Sequence, residues 1–389
     1  MKVLFFNYEY PPLGGGAANA TEYILREYAK IPGLKVDLVT SSVDSEYHLD
    51  RIGNNVKVHR LPIGKSEKNL HYQSQKDLLV YIWKAYRFSK KLLKKEKFDL
   101  THSFFTVPCG AISWIFWVTK KIPYIISLRG SDVPGYSDRF TFIYGSVSFL
   151  FKEIWRRSAA VVSNSQGLKD LALKTDPRRD IGIIYNGVDV EKFKPQSGKK
   201  EEGKTYLTVG ASRITGRKGI VYLIDAIKTL SEKYPNIYMD VMGEGNAKED
   251  LEAHVRDLGL EDRIRFIGRV PNNETYVHYQ KADIFVLPSM NEGMSNAMLE
   301  ALASGLPIIS TNTGGADELV KNGVNGLIVK MKDGDDLADK IERLVVDKDL
   351  RSRMSAESRR LAEKMSWENV AKQYFQLYGE VLEKREIKK

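Results

Sequence analysis

Residues 288–307 read PSMNEGMSNAMLEALASGLP, and this stretch decides the fold. Just before it, Asp283-Ile284-Phe285-Val286-Leu287 is a short apolar, β-branched run that predicts a buried parallel strand. Pro288 and Ser289 end that strand, and Asn291, Glu292 and Gly293 predict a polar turn. From Ser295 the period changes: Ala297, Met298, Ala301 and Leu302 recur at helical spacing until Gly305 and Pro307 stop the run. A strand that passes through a glycine turn into a helix N-terminus accepts anions, because backbone N–H groups and the helix dipole both point at the turn. Glu292 at the turn and Glu300 on the helix are about two turns apart and are expected on one side. Carboxylates beside an anion site are wrong for phosphate alone. They suit a ligand with both phosphate and hydroxyls, because a carboxylate accepts hydrogen bonds from sugar O–H groups.

Strands and helices alternate on either side of this unit. In the first half, residues 2–7, 36–41, 56–61, 99–103, 123–128, 159–164 and 181–185 predict strands. Residues 17–30, 75–97 and 140–157 predict helices between them. In the second half, 205–211, 237–242, 264–267, 307–311 and 326–329 predict further strands. Such alternation gives a parallel sheet covered on both faces. Between the halves, 196–204 is polar and charged with no apolar period and predicts a linker.

With 389 residues, two domains are expected. One cysteine, Cys109, excludes a disulfide framework and a cysteine-based metal site and fits a reducing compartment. The chain opens directly on a strand, so no signal peptide is expected, and the apolar region 104–118 is too short and interrupted to span a membrane. The net charge of +10 is uneven: residues 1–195 carry +11 and the remainder −1. An acidic partner is therefore expected on the first half, whether a membrane surface, a phosphorylated acceptor or nucleic acid.

The paired glutamates, with Pro288-Ser289 before them and Ala301 after them, resemble the E-x7-E signature of retaining glycosyltransferases of the GT-B fold, family 4. Asn186-Gly187-Val188-Asp189 with Phe193 is similar to the segment that precedes the interdomain linker in that family. The resemblance covers nearly the whole chain. It implies two Rossmann-like doubly wound α/β domains facing a cleft. Residues 1–195 would bind the acceptor and 204–366 the nucleotide-sugar, with the terminal helix 367–389 crossing back onto the first domain. The implied reaction is transfer of a sugar from a UDP- or GDP-linked donor to a glycan or lipid-linked acceptor, with retention and without a metal. In the front-face route the leaving phosphate itself takes the acceptor's proton.

The resemblance also assigns residues. Glu292 would bind sugar hydroxyls with the N–H groups of Gly293, Met294 and Ser295, and Asn296 would lie beside them; Glu300 would hold the ribose. Arg213 and Lys218, in GASRITGRKG, would stabilise the leaving diphosphate, a role that suits two fixed cations. Gly243 and Gly245 would border the base, with the backbone near Val270 reading its edge. Gly14, Gly15 and Gly16 follow the first strand, where glycine lets backbone approach a ligand closely; Gly15 and Gly16 would touch the donor and Gly14 the acceptor. His102 would stand near the reacting centre. Arg129-Gly130-Ser131-Asp132 matches the family's H-G-x-D element, with Arg129 in place of the usual histidine; Arg129 would contact the donor, and Asp132 would bind the acceptor or cap a turn. Asp333-Gly334-Asp335 has D-x-D spacing but precedes an amphipathic helix and is read as its cap, so no metal site is expected.

In the helix 75–97, Leu79, Ile82, Trp83, Tyr86 and Leu93 are expected to face inward, with Lys84, Arg87, Lys91, Lys94 and Lys95 outward. Either this is a core helix with a solvated basic back, or the strip docks on anionic lipid from the cytoplasmic side. The aromatic run 140–155 fits both. The alternatives are a synthase or epimerase of the same fold using a nucleotide-sugar, a phosphorylase of that fold, or a non-catalytic basic nucleic-acid binder. The last predicts indifference to loss of Glu292 and leaves the motifs of the second half unexplained; no nucleic acid is expected.

Overall fold

The computed structural model describes residues 1–64, 73–136, 141–196, 203–271, 274–290, 292, 294–313 and 315–387. Asn291, Gly293 and most of the expected linker lie outside them, as does the start of the aromatic run at Phe140. The chain forms two compact units, Met1–Asn186 with Trp367–Lys389, and Gly187–Ser366.

The first unit alternates β1 (Lys2–Phe6), α1 (Gly16–Tyr28), β2 (Lys35–Ser41), β3 (His48–Ile52), β4 (Val56–Leu61), α2 (Gln75–Lys95), β5 (Leu100–Phe104), α3 (Ala111–Lys120), β6 (Tyr124–Leu128), α4 (Thr141–Arg157), β7 (Ala160–Ser163), α5 (Gln166–Thr175) and β8 (Gly182–Ile183). The sheet order is β3-β4-β2-β1-β5-β6-β7-β8. All pairings are parallel except β3 with β4, an antiparallel hairpin at the edge. The sequence offered no sign of β3, because HLDRI is short and polar. The chain leaves β1 toward β2 on one side and later returns to place β5 on the other. The switch point of this doubly wound sheet is therefore between β1 and β5, and ligands of such sheets bind beyond the strand ends there.

Helix α2 begins with a capping box: Ser74 accepts from the Asp77 N–H, and Asp77 accepts from the Ser74 N–H. Its buried stripe is Tyr81, Ala85 and Ser89, not the expected Leu79 and Trp83, which are 67% and 55% exposed. Tyr81 sets the register, since its hydroxyl is buried and donates to the Val39 carbonyl at 2.8 Å.

The second unit contains β9 (Thr205–Arg213), α6 (Ile220–Ser231), β10 (Ile237–Glu244), α7 (Lys248–Asp257), β11 (Ile264–Gly268), α8 (Thr275–Lys281), β12 (Ile284–Leu287), α9 (Asn296–Ala303), β13 (Ile308–Thr311), α10 (Ala316–Leu319), β14 (Gly326–Val329), α11 (Gly334–Val346) and α12 (Lys348–Lys364). The order is β11-β10-β9-β12-β13-β14, all parallel, and the switch point lies between β9 and β12. The unit takes in residues 187–196 because Val188 bridges Ser366 and Phe193 packs its ring against Tyr279. Asp333 caps α11, accepting from the Asp336 N–H at 2.9 Å.

The last helix, α13 (Trp367–Ile387), belongs to the first unit. Trp367, Val370, Ala371, Tyr374, Tyr378 and Val381 share the core that holds β1, β2 and β5. A buried hydrogen-bonded chain fastens it: Tyr28 to Tyr378 (2.8 Å), Tyr378 to His102 Nδ1 (2.7 Å), His102 Nε2 to Ser127 (2.8 Å) and Ser127 to Tyr374 (3.0 Å). Every polar atom of that chain is satisfied, the condition under which a buried network stabilises.

Candidate functional site

In the second unit, the loops after β9 and β12 flank the switch point and touch. The Met290 N–H donates to the Arg217 carbonyl at 2.8 Å. Gly219 has a left-handed backbone (φ 67°), and a Cβ there would stand 2.1 Å from the Pro288 carbonyl, so only glycine permits the approach. The result is an ion pair between Lys218 Nζ and Glu292 Oε1, both largely buried. Ser289 donates to the same Oε1 at 3.2 Å. Ser289 is itself buried, and its carbonyl accepts from the Thr311 hydroxyl at the end of β13. Arg213 ends β9 as an exposed cation with no acid partner among the described residues.

Ser295 is the N-cap of α9, accepting from the Met298 N–H at 3.3 Å. Glu292 therefore lies in the loop before the helix. This is the expected placement, with Glu292 before the helix and Glu300 on it. Met294 and Asn296 are half-buried around the cap. Burial raises the Glu300 carboxyl to about 7, although a hydrogen bond from Tyr279 and the charge of Lys192 pull the other way. Tyr279 is fully buried on α8 and has no sequence signal linking it to Glu300.

Gly243 and Gly245 flank the end of β10. A Cβ on Gly245 would lie 2.0 Å from the Ile214 carbonyl, which packs this loop against the one after β9. Val270 is half-buried just past β11, whose last residue, Gly268, borders Glu244. Gly293 lies outside the described residues. Arg213, Lys218, Glu292, Gly243 and Gly245 thus line adjoining loops at the carboxyl ends of β9, β10 and β12, and Glu300 stands one helical segment behind.

In the first unit, the loops after β1, β5 and β6 surround the other switch point. Gly16 opens α1, and Gly14 takes a left-handed φ of 93° folded onto Glu9. The Gly15 N–H points at Glu9 Oε2, 3.4 Å away. Asp132 is 4% exposed and saturated: Oδ1 accepts from the N–H groups of Arg129 and Gly130, and Oδ2 from the N–H and hydroxyl of Thr106. The expectation of an acceptor contact from Asp132 is corrected, since it builds the turn. His102 is corrected too. It is fully buried in β5, both ring nitrogens are bonded, and burial together with Arg129 holds it neutral, well below the usual range. A central strand of a two-sided sheet buries every residue, and the sequence does not distinguish that from a site histidine. Cys109 is buried, its thiol pushed up by desolvation, and is inert.

Among the described residues, no helix is long and apolar enough to cross a membrane, and no three His, Cys, Asp or Glu side chains converge as metal ligands.

Two family models match: Glycosyltransferase Family 4 over residues 14–192 and Glycosyl transferases group 1 over residues 189–361. An uncharacterized glycosyltransferase of Methanocaldococcus jannaschii is 26% identical over 98% of this chain and 99% of that protein. Among solved structures, sucrose-phosphate synthase from Thermosynechococcus elongatus superposes with a TM-score of 0.79 at 20% identity, covering 98% of this chain and 99% of that one. HepE of Anabaena, solved with UDP, superposes with a TM-score of 0.73 at 18% identity, covering 98% and 100%. These likenesses show the two-domain GT-B fold. With its two doubly wound units and the two family matches that together run from residue 14 to 361, the chain belongs to the group 1 glycosyltransferases.

Proposed function

We propose that this enzyme moves a sugar from a UDP- or GDP-linked donor to a hydroxyl of a glycan or lipid-linked acceptor, with retention and without a metal. The observation that carries this reading is the Lys218–Glu292 pair at the β9/β12 switch point. A nucleotide-sugar has an anionic diphosphate next to neutral hydroxyls. Entering here, it separates the pair: Lys218 turns to the diphosphate with Arg213, and Glu292 accepts from the sugar O–H groups. Glu300, held by Tyr279, is placed for the ribose hydroxyls, and the loops at Gly243–Gly245 and Val270 for the base. As the glycosidic bond breaks, charge gathers on the diphosphate, and the two cations brought against it stabilise that charge more than the ground state. The diphosphate oxygen takes the acceptor's proton on the face from which the nucleotide leaves, which gives retention.

The first unit carries a net charge of +12 and the second −2. On α2 the exposed residues Lys76, Leu79, Trp83, Arg87, Lys90 and Lys94 form one stripe, with the Arg87 guanidinium 4.8 Å from the Trp83 ring. Cations flanking exposed indole and leucine suit an anionic lipid surface, at about 1 kcal/mol per cation. We read this stripe as a peripheral contact on the cytoplasmic face of a membrane that presents the acceptor.

The experiment compares UDP with a UDP-sugar on wild type, Lys218→Met and Glu292→Gln. Lys218→Met should weaken both at least tenfold. Glu292→Gln should keep UDP affinity and lose the extra affinity of the sugar. If Glu292→Gln leaves that difference intact, the assignment is wrong.

A further inference from the structure

The second unit has a cavity at the end of its sheet opposite the loops of Lys218 and Glu292. Its volume is about 420 Å³, and it lies at the amino ends of β9 and β10, between the end of α6 and the junction of α11 with α12. That size falls among small-molecule sites, which run roughly from 300 to 1,000 Å³. Four cations line it, Lys204, Lys233, Lys348 and Arg351, and among the described residues Asp283 is the one carboxylate that does. The unit as a whole carries −2, so this concentration of positive charge is local. Lys233 is committed at the rim: its Nζ donates to Glu342 Oε1 at 2.5 Å, and the Tyr234 hydroxyl donates to the same oxygen at 2.7 Å. Asp283 is committed to the sheet, its Oδ2 accepting from the Tyr206 N–H at 2.8 Å.

Lys348 and Arg351 have no such commitment, since neither pairs with a carboxylate among the described residues. Arg351 is half-buried, and its Nη1 donates to the Leu344 carbonyl at 3.0 Å, which holds the guanidinium at the last turn of α11. Its Nε and Nη2 have no acceptor among the described residues. Lys348 stands one turn earlier on α12, and like charges at this i, i+3 spacing repel. Asp347 does not relieve them, because it caps the helix by accepting from the Leu350 N–H at 2.8 Å. Asp349 lies on a different face, as adjacent helical residues do. An anion between the two side chains removes the repulsion. A guanidinium fixed on one side and open on the other, beside an ammonium, matches the oxygens of a phosphate monoester. The cavity is much larger than a phosphate ion, and it continues past the cations to Thr205 and Asn236, neutral groups that hydrogen-bond hydroxyls. The geometry points to a second ligand site, in which Lys348 and Arg351 hold the phosphate of a small sugar phosphate whose hydroxyls meet Thr205 and Asn236. This site lies at the opposite ends of the strands from the nucleotide-sugar loops and does not depend on the reading of those loops.

The test is calorimetric titration of ribose 5-phosphate, inorganic phosphate and ribose into the full chain at fixed ionic strength, with and without saturating UDP. Ribose 5-phosphate should bind wild type with a dissociation constant of about 1 mM or lower, at least threefold tighter than inorganic phosphate, and ribose should not bind. Arg351→Gln should weaken ribose 5-phosphate at least tenfold and Lys348→Gln at least threefold. Arg353→Gln, which removes an exposed cation from the same helix outside the cavity, should leave the affinity unchanged. Melting curves without ligand establish that each variant is folded. If Arg351→Gln is not, Lys348→Gln decides, because that position is exposed. No binding to folded wild type, equal affinity in wild type and Lys348→Gln, or an equal loss in Arg353→Gln would overturn the proposal. So would UDP that abolishes the binding, which would move the ester to the loops of Lys218 and Glu292. An ester that binds no tighter than inorganic phosphate would overturn the assignment to a sugar phosphate. If wild type binds no UDP at all, the donor reading fails separately, and the titrations without nucleotide still decide this site.

Discussion

Glu300 gives a prediction with a calculable size. Its carboxyl is raised from 4.5 to about 7 by burial. A raised carboxyl pKa means that ionisation is harder in the folded chain than in the unfolded one. Folding therefore bears a cost that is absent below pH 4.5, grows as pH rises through the interval from 4.5 to 7, and is complete above 7. Using those two values, the cost is about 1 kcal/mol at pH 5 and about 3 kcal/mol at pH 8. Glu300→Gln keeps a polar group beside Tyr279 and removes the titration. Whatever the variant does to packing is the same at both pH values and cancels in the difference. The stability of Glu300→Gln relative to wild type should therefore improve by about 2 kcal/mol between pH 5 and pH 8, with about 3 as an upper limit. The assay is urea denaturation of both proteins without ligand at the two pH values, following the transition of the second unit. All other titrating groups are common to both chains. Parallel pH profiles would refute the reasoning, and a variant that loses ground at pH 8 would reverse its sign.

Tyr378→Phe removes the hydroxyl that joins Tyr28 to His102, and unfolding of the first unit should become easier by about 1–3 kcal/mol in chemical denaturation. His102 is held neutral below its usual range, so its contribution is present above about pH 6.5 and is lost as pH falls below that, and His102→Gln should flatten the acid limb of the stability profile. Gly219→Ala places a Cβ on the Pro288 carbonyl at a left-handed backbone, and should destabilise the second unit by about 2 kcal/mol or more and weaken UDP binding in the same titration. Replacing both Leu79 and Trp83 by Ser should reduce co-sedimentation with anionic vesicles at least fivefold and leave UDP affinity unchanged.

Much of this fold was legible in the sequence because its strands are buried on both faces. Runs such as Ile284–Leu287 are apolar throughout, and Pro288 marks where the strand must stop. The helix start after β12, at Ser295, was equally plain. What was hidden depended on contacts between distant segments. The pair of Glu300 with Tyr279 joins two helices, and the hold of Ser289 and Thr311 on the loop of Glu292 joins neighbouring strands. His102 was misread because its partners Tyr374 and Tyr378 come from the other end of the chain. In α2 the apolar pattern misled, because two large side chains face solvent while Ala85 and Ser89 face the sheet.

The central claim is that the loops after β9 and β12 form a nucleotide-sugar site. The most direct measurement is calorimetric titration of UDP-, GDP- and ADP-sugars, without added metal, into wild type and Glu300→Ala. The account predicts that one donor binds wild type with micromolar affinity and binds Glu300→Ala at least tenfold more weakly, while both proteins melt cooperatively. Equal affinity in the two proteins, or no binding of any nucleotide-sugar to a folded wild type, would contradict it.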